Sequence, residues 1–137
     1  MAGDRFNTGK LKWSLVSWKA LAPMVRVLMF GAHKYTTFKR DDGINVKGDQ
    51  ISKEDSKGLE VVTSGANNWK KGLKYTELTE SLQRHLNAFI DGEDNDPESK
   101  LSHVGHILCN AMFLSYMSMF KKDMDDRYID LNIKENE

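Results

Sequence analysis

The sequence predicts an all-α protein, a bundle of four to five helices with one long polar inserted loop. Apolar residues recur at helical spacing between residues 78 and 89, which is typical of an amphipathic helix. Residues Leu11 to Ala22 and Ile107 to Phe120 are two further apolar stretches of helical length. A chain of 137 residues is one domain by the usual length rule and long enough to bury a core, so we assign residues 1–137 to a single domain.

The N-terminal third predicts two helices. Residues 1–9 are polar and have no helical pattern, whereas Leu11 to Ala22 combines two tryptophans with leucines and a valine in an amphipathic arrangement. Pro23 suits the first position of another helix, because its missing N–H group would have no partner there. That helix is predicted to run from Met24 to His33.

Residues 36–66 are predicted to form the inserted loop. The segment is polar, with the charge clusters KRDD and KEDSK and glycines at positions 43, 48 and 58. A short hairpin across Ile44–Ile51 is the one regular element expected within it. After Phe120 the apolar period is lost, so residues 121–137 are predicted to be a polar C-terminal tail, whose last dozen residues fray or contact a neighbouring subunit.

The stretch from Tyr75 to Asn110 organises the predicted bundle. Gly92 suits the C-cap of the amphipathic helix, and Asp96 followed by Pro97 suits the start of the next helix. Two antiparallel helices would then be joined by a short acidic connection. The predicted core between them is Leu82, Leu86, Phe89, Val104, Leu108 and Ala111.

Two acidic pairs flank this connection, each with two residues between its members. They are Glu77/Glu80 on the first helix and Glu93/Asp96 after it. Several carboxylates in one pocket repel each other and are stabilised by a hard cation, so the pattern predicts a Mg²⁺ site, with Mn²⁺ as the alternative. Taken singly, Glu77 and Glu80 also fit ordinary surface charges, and N-capping alone explains Asp96.

Composition excludes several classes of partner. Lys+Arg and Asp+Glu both total 20, so the formal net charge is zero and binding to nucleic acid through a basic surface is not expected. The N-terminus has no apolar signal segment, and the apolar run after Ile107 is too short to span a membrane. Since the single Cys109 cannot form an internal disulfide, we expect a cytoplasmic protein.

Several short sequence motifs, taken in their order along the chain, resemble those of a known family. E-x-x-E followed by E-x-x-D resembles the metal signature of MazG-like all-α nucleoside triphosphate pyrophosphohydrolases. The blocks TGKLKW, FGAHKY, NNWKKG, RHL, GEDNDPES and the H-x-x-H…CN helix resemble the phage-type dATP/dGTP diphosphohydrolase family. The resemblance covers most of residues 7–116. This chain differs in the long segment between Tyr35 and Asn68, where such relatives have only a few residues.

The resemblance implies an activity and a set of site residues. A MazG-like protein would hydrolyse a purine deoxynucleoside triphosphate, dGTP or dATP, to the monophosphate and pyrophosphate, in the host cytoplasm if phage-encoded, as a homodimer or homotetramer. Glu77 and Glu80 would be catalytic, and they would bind metal with Glu93 and Asp96. The expected substrate contacts are Lys10, Lys34, Tyr35, Asn68, Trp69, Arg84, His85 and His103.

The sequence is also compatible with two other classes of protein. His85, His103 and His106 could centre the metal of a histidine-based phosphohydrolase, because i and i+3 positions share a helix face. A non-enzymatic helical module would use the acidic connection only to bind a partner. Trp69 fits a base-stacking residue or a core residue equally well, and His85 fits a core histidine or a phosphate contact.

Overall fold

A computed structural model describes residues 1–130, which form a helical body with a small sheet at one end. The helices are α1 (Trp18–Lys34), α2 (Lys53–Ser56), α3 (Tyr75–Ile90) and α4 (His103–Phe120), and the strands are β1 (Thr37–Lys39), β2 (Asn45–Lys47) and β3 (Glu60–Thr63). Short 3-10 turns lie at Trp13–Leu15, Gly48–Gln50, Asn68–Lys71 and Lys122–Met124. Among these residues, no helix has the length and apolar character needed to cross a membrane.

The all-α prediction was wrong, because the inserted segment folds into a three-stranded antiparallel sheet. The strand order is β2-β1-β3, and Phe38 in β1 lies opposite Val46 and Val61. The predicted hairpin was also misplaced, since the actual one joins β1 to β2 through a turn at Gly43, whose φ is +83°. Each strand has only three or four residues, too few for a period-2 pattern to stand out among charged neighbours.

The sheet is fastened to the C-terminal end of α1 through Thr36. The Thr36 hydroxyl donates to the Ala32 carbonyl at 2.6 Å and accepts from the Gly65 N–H at 2.9 Å. The Thr36 carbonyl accepts from the Gly48 N–H at 2.8 Å. A Cβ at either glycine would overlap backbone atoms of α1 or of the residues just after it, so these approaches require glycine.

α1 replaces the two helices predicted at the N-terminus. It begins after Ser17, whose side chain accepts from the Ala20 N–H, and continues through Pro23 to Lys34. Pro23 removes the hydrogen bond that its N–H would make to the Lys19 carbonyl. The helix persists because α4 packs on it there, with Gly105 directly against the Pro23 carbonyl. Residues 1–20 are exposed, and only Trp13–Leu15 in the predicted first helix forms a separate turn.

The end of α3 was predicted correctly, but the start of α4 was not. Gly92 has φ +96° and donates to the Phe89 carbonyl, while Glu93 donates to Ala88, which is the Schellman arrangement. α4 begins six residues later than expected, after Ser102, whose hydroxyl accepts from the Gly105 N–H. Asn95 bridges to Ser102 instead, so Pro97 lies in a turn rather than in a helix.

The best-buried part of the core lies nearer the far end of the α3–α4 pair than we predicted. Tyr75, Leu78 and Met117 are buried there, and Met117 is fully inaccessible. Partly buried neighbours complete this cluster: Trp69, Leu73, Phe113, Leu114, Tyr116 and Met124. Of the predicted core, Leu82, Leu86 and Leu108 are half-buried, whereas Phe89, Val104 and Ala111 are exposed. The prediction failed because the helices face each other through histidines near the α3–α4 connection.

The first part of the C-terminal tail packs back onto the body. Asp126 accepts from the Thr76 N–H at 3.0 Å and from the Thr76 hydroxyl at 2.6 Å, and so caps the first turn of α3. These hydrogen bonds hold the pKa of the Asp126 carboxyl below its usual value. Arg127 lies over the Tyr75 ring at 5.3 Å. The fraying predicted for the last dozen residues therefore does not apply to Asp126 and Arg127, and residues 131–137 lie outside the described residues.

Candidate functional site

A polar pocket of about 420 Å³ lies between α3, α4 and the connection that joins them. α3 contributes one stripe of side chains at helical spacing, and α4 contributes two histidines three residues apart. The C-terminal end of α1 closes one side with Lys34. The full lining is Phe30, Lys34, Ser81, Arg84, His85, Ala88, Glu93, Asp96, Glu98, Ser99, His103 and His106.

Three of these residues form a continuous hydrogen-bonded chain. Glu93 Oε1 lies 2.6 Å from His103 Nε2, and His103 Nδ1 lies 2.8 Å from His85 Nδ1. His103 is 3% exposed, whereas the Glu93 side chain is about half exposed. Because a carboxylate only accepts, His103 donates its Nε2–H to Glu93, a tautomer that we infer from the partners. A His103 ring that donates only at Nε2 accepts at Nδ1, and in that tautomer His85 carries the proton that lies between the two rings.

Asp96 is held in the same pocket by a tight turn. Its Oδ2 accepts from the Ser99 N–H at 2.8 Å, and its backbone carbonyl accepts from the Lys100 N–H. Ser99 Oγ also lies 2.8 Å from His106 Nε2, which places His106 beside the turn. The His106 ring stacks on the His85 ring with centroids 4.2 Å apart and planes 2° from parallel.

Burial is the main influence on the protonation of the titratable side chains in the polar pocket. It lowers the pKa of the His85 imidazole, and repulsion from His106 adds to the effect. Burial also lowers the pKa of His106, although the Asp96 carboxylate opposes this. For Asp96 burial alone would raise the pKa, but hydrogen bonds from Ser99 and the nearby imidazoles outweigh it, and the pKa lies below its usual value. Near neutral pH the pocket therefore presents neutral His85 and His106 rings beside an ionised Asp96. The 3.9 Å contact between Asp96 and His106 is consequently not an ion pair.

One atom from each of His85, Asp96 and His103 can converge on a common point. The three candidate ligand atoms all lie within 4.8 Å of one another. In the part of the chain that the structure describes, no other group of three His, Cys, Asp or Glu residues is so arranged. The geometry therefore combines imidazole nitrogens and a carboxylate oxygen at one end of the polar pocket.

An apolar pocket of about 300 Å³ adjoins the polar one. The two share Phe30, Lys34, Ser81 and His106. The apolar pocket is lined mainly by α1, the 3-10 turn at Asn68–Lys71 and α4, and it contains four predicted substrate contacts: Lys34, Tyr35, Asn68 and Trp69. The blocks FGAHKY and NNWKKG thus meet in space, although the sheet separates them in sequence.

Trp69 packs in the core and also lines the apolar pocket, and its role in base stacking stays a prediction. Its ring stacks on Phe113 with centroids 4.7 Å apart and meets Tyr116 edge-on at 4.8 Å, so it belongs to the core cluster. It also lines the apolar pocket. Tyr35 is 49% exposed and has Lys34 Nζ 5.6 Å from its ring centroid. Of the two rings, Tyr35 is the more accessible to a ligand.

The predicted site residues divide into two groups. Those in one of the two pockets are Lys34, Tyr35, Asn68, Trp69, Arg84, His85, Glu93, Asp96 and His103. Glu77, Glu80 and Lys10 are exposed and line neither pocket. The structure therefore brings Glu93 and Asp96 together with histidines rather than with the first acidic pair. Within the described residues no salt bridge joins Glu80 to Arg84, which leaves the Arg84 guanidinium available to the pocket.

Sequence reasoning missed Glu98 and Ser99 and placed His106 only in an alternative site. Glu98 and Ser99 lie in the turn that contains Pro97, where the sequence predicts the first turn of a helix. His106 lies one helical turn after His103, and this H-x-x-H spacing was the available signal. The signal was incomplete because the third histidine comes from α3.

The helical body, the small sheet and the two adjoining pockets define a mixed α/β domain with a cavity lined by cations, imidazoles and carboxylates. Residues 1–127 match the family described as dATP/dGTP diphosphohydrolase, N-terminal, and the chain belongs to that family. The predicted resemblance to the phage-type family is thus confirmed. A curated dATP/dGTP diphosphohydrolase of Salmonella phage PMBT28 is 26% identical over 127 residues, which are 93% of this chain and 33% of the relative. The chain spans about a third of that relative's length. No solved structure matches the chain significantly.

Proposed function

We propose that this protein hydrolyses a purine deoxynucleoside triphosphate, dATP or dGTP, to the monophosphate and pyrophosphate. The observation that carries the proposal is the continuity of the two pockets, which share Lys34 and Ser81. An aromatic-lined end and an end with cations, imidazoles and carboxylates match the two ends of a nucleotide. The name of the phage relative and the family description support the same substrate class.

The apolar pocket is the proposed site of the base. Tyr35 offers an accessible ring face, and Phe30, at the boundary of the two pockets, offers another. Stacking between a base and an aromatic side chain contributes about 1–3 kcal/mol per base in nucleic-acid complexes. Asn68 adds an amide that can both donate and accept, which suits the edge of a purine.

The polar pocket is the proposed site of the triphosphate. Lys34 ends α1 where the two pockets meet, and Arg84 approaches from α3. A guanidinium can bind phosphate oxygens in a bidentate manner, whereas an ammonium acts as a compact charge. These two cations would hold the phosphates and stabilise charge that develops during hydrolysis.

Mg²⁺ remains the proposed cofactor, with Mn²⁺ as the alternative. Of the four predicted carboxylates, Glu93 and Asp96 line the polar pocket and could hold such an ion there, whereas Glu77 and Glu80 do not line it. The donor set thus fits a four-carboxylate cage only in part. When bound, a divalent ion would neutralise phosphate charge and lower the pKa of a bound water. The catalytic roles of Glu77 and Glu80 stay predictions.

A substrate panel tests the activity. The full chain, with Mg²⁺ or Mn²⁺, is incubated with each dNTP and NTP, and pyrophosphate and orthophosphate are measured separately. We expect pyrophosphate from dATP or dGTP in excess over pyrimidine nucleotides. Release of orthophosphate with the diphosphate would contradict the proposed bond cleavage. Absence of any turnover would favour the alternative of a non-enzymatic helical module.

We also propose that the protein is a cytoplasmic homodimer or homotetramer. Support comes from large apolar side chains exposed along the N-terminal segment and α1, among them Trp13, Leu15, Trp18, Val25 and Met29. Exposed apolar surface of this extent is common at protein–protein interfaces. Light scattering coupled to size exclusion gives the mass directly, and a monomer at micromolar concentration would overturn the proposal.

A further inference from the structure

We propose that His85, His103 and Asp96 form a binding site for a divalent transition-metal ion of the Mn²⁺ to Zn²⁺ series. This inference deepens the proposed function, since the ion would lie in the pocket assigned to the triphosphate. It differs from the Mg²⁺ prediction in the metal and in its ligands. Two imidazole nitrogens with one carboxylate oxygen favour first-row transition metals, whereas Mg²⁺ prefers oxygen ligands alone.

The first argument is the distance between the two histidine nitrogens. Nitrogen ligands at about 2.0–2.1 Å from one metal ion lie about 2.9–3.4 Å apart, for angles between those of an octahedron and of a tetrahedron. The Nδ1 atoms of His85 and His103 are already 2.8 Å apart. The separation therefore needs to grow by only a few tenths of an ångström, but each ring must also turn so that its Nδ1 points to an ion beside the line that joins the two atoms.

The second argument is the orientation of His103. Histidines that bind metal almost always donate their other ring N–H to a carboxylate or carbonyl. His103 has this arrangement, with Nε2 2.6 Å from Glu93 Oε1 and Nδ1 directed at His85. Glu93 is therefore assigned as an orienting group rather than as a direct ligand, and it leaves a lone pair on Nδ1 of His103.

The third argument is the balance of protons when the ion binds. In the metal-free pocket the proton between the rings belongs to His85 Nδ1, because His103 already donates at Nε2. On binding, this proton moves to Nε2 of His85, which leaves a lone pair on Nδ1 of each ring for the ion. The ion thus takes the place of a bridging proton, and the imidazoles need no net ionisation.

The fourth argument is that Asp96 supplies a third ligand and that one side of the metal site stays open. Asp96 offers a carboxylate oxygen within 4.8 Å of one ring nitrogen of each histidine, while its contact with the Ser99 N–H holds it in place. Three protein ligands leave positions for water or a phosphate oxygen, as in catalytic metal sites. Those positions would face the pocket that contains Lys34 and Arg84.

Direct metal binding tests the site without nucleotide. The chelator-stripped full chain is titrated with Zn²⁺, Co²⁺, Mn²⁺ and Mg²⁺ by calorimetry, and Co²⁺ binding is also followed by its visible absorption. We expect one Zn²⁺ or Co²⁺ per chain, bound much more tightly than Mg²⁺. His85→Gln, His103→Gln and Asp96→Asn should abolish this binding, and Glu93→Gln should weaken it by about 10–100-fold.

Two further histidines serve as controls. His33→Gln alters a histidine bound to the Ile51 carbonyl, away from this cluster, and should leave metal affinity unchanged. His106→Gln alters the ring stacked on His85 without removing a proposed ligand, so the stoichiometry should remain one. Circular dichroism confirms that each variant is folded. If His103→Gln does not fold, His85→Gln and Asp96→Asn decide the test.

The outcomes separate this inference from the proposed function. If folded wild type binds none of the transition metals, or if His85→Gln and Asp96→Asn bind them as wild type does, the metal site is overturned. Nucleotide hydrolysis with Mg²⁺ could still hold in that case. If Zn²⁺ or Co²⁺ binds as predicted but no nucleotide is hydrolysed, the site stands and the proposed function fails.

Discussion

Gly105 in α4 lies so close to Pro23 in α1 that a Cβ at Gly105 would be 2.6 Å from the Pro23 carbonyl oxygen. This approach lets the two helices cross at the point where Pro23 interrupts the hydrogen bonding of α1. Gly105→Ala should force the helices apart and destabilise the fold by about 1–3 kcal/mol, the usual range for overpacking. Thermal and denaturant unfolding measure the change. Gly31→Ala, at a helical position where a Cβ meets nothing within 4 Å, should be neutral or stabilise by up to about 1 kcal/mol.

Gly31 also offers a test of the apolar pocket, which it lines. In Gly31→Leu the new side chain should occupy space proposed for the base, while the open surroundings leave the fold intact. We expect kcat/KM for dATP or dGTP to fall at least about tenfold, which corresponds to about 1.4 kcal/mol, with Tm unchanged or higher. Gly3→Leu, at an exposed position in the N-terminal segment, is the control. Unaltered kinetics in Gly31→Leu would place the base elsewhere.

Lys34 and Arg84 should matter for the triphosphate rather than for stability. Lys34→Ala and Arg84→Ala should each lower kcat/KM by about 10²–10³-fold, the scale seen when a group that stabilises the transition-state charge is removed. Lys39→Ala, an exposed lysine on β1 outside both pockets, should have little effect. Steady-state kinetics and melting curves for the three variants make the comparison. Equal effects at Lys34 and Lys39 would remove Lys34 from the site.

Asp96 and Glu80 distinguish the two arrangements of metal ligands. Asp96→Asn should lower kcat by about 10²–10⁴-fold, the scale of losing a main electrostatic or acid–base contribution. Its stability should change little, because Asn can still accept from the Ser99 N–H. Glu80→Gln should have the smaller effect, since Glu80 is exposed outside the pocket. Equal losses in both variants would instead support the four-carboxylate site.

Asp126 should stabilise the fold in a pH-dependent manner. Its pKa is lowered in the folded state by the hydrogen bonds from Thr76, so it binds its proton more weakly than in the unfolded chain. Its contribution is therefore complete above the ordinary pKa of an aspartate and is lost as pH falls through the lowered value. Asp126→Ala should lower Tm at neutral pH, and the difference from wild type should vanish in acid. Asp123→Ala, which removes an exposed aspartate in the preceding 3-10 turn, is the control and should leave Tm at neutral pH close to that of wild type.

The sequence predicted best those features of the fold that depend on residues close together in the chain. The apolar stripe identified α3, and Gly92 marked its end correctly, because a left-handed residue is required there. The start of α4 was missed because Asn95 and Ser102 pair across the turn that holds Pro97, a contact that no local pattern announces. The sheet was missed for a similar reason. Its outer strands pair with β1 only after the chain has turned back, and each is very short.

In the candidate site, too, the sequence predicted what local patterns determine but not what the packing of distant elements determines. The ordered blocks indicated that Lys34, Tyr35, Asn68 and Trp69 belong together, and they line one pocket. The histidine spacing on α4 was visible, but the contact of His103 with His85 depends on how α3 and α4 pack. The sequence alone could not separate acids that face this interface from acids that face solvent.

The hydrogen bond between Thr36 and Gly65 has an evolutionary consequence. It joins the first residue of the inserted segment to the last residue but one, so the chain leaves the helical body and returns to it at nearly one point. A segment with adjoining ends behaves as an exchangeable module, because its length can change without moving the elements on either side. The sheet could therefore have been gained or lost as a unit, with Lys34, Tyr35 and Asn68 kept in place on either side of the junction.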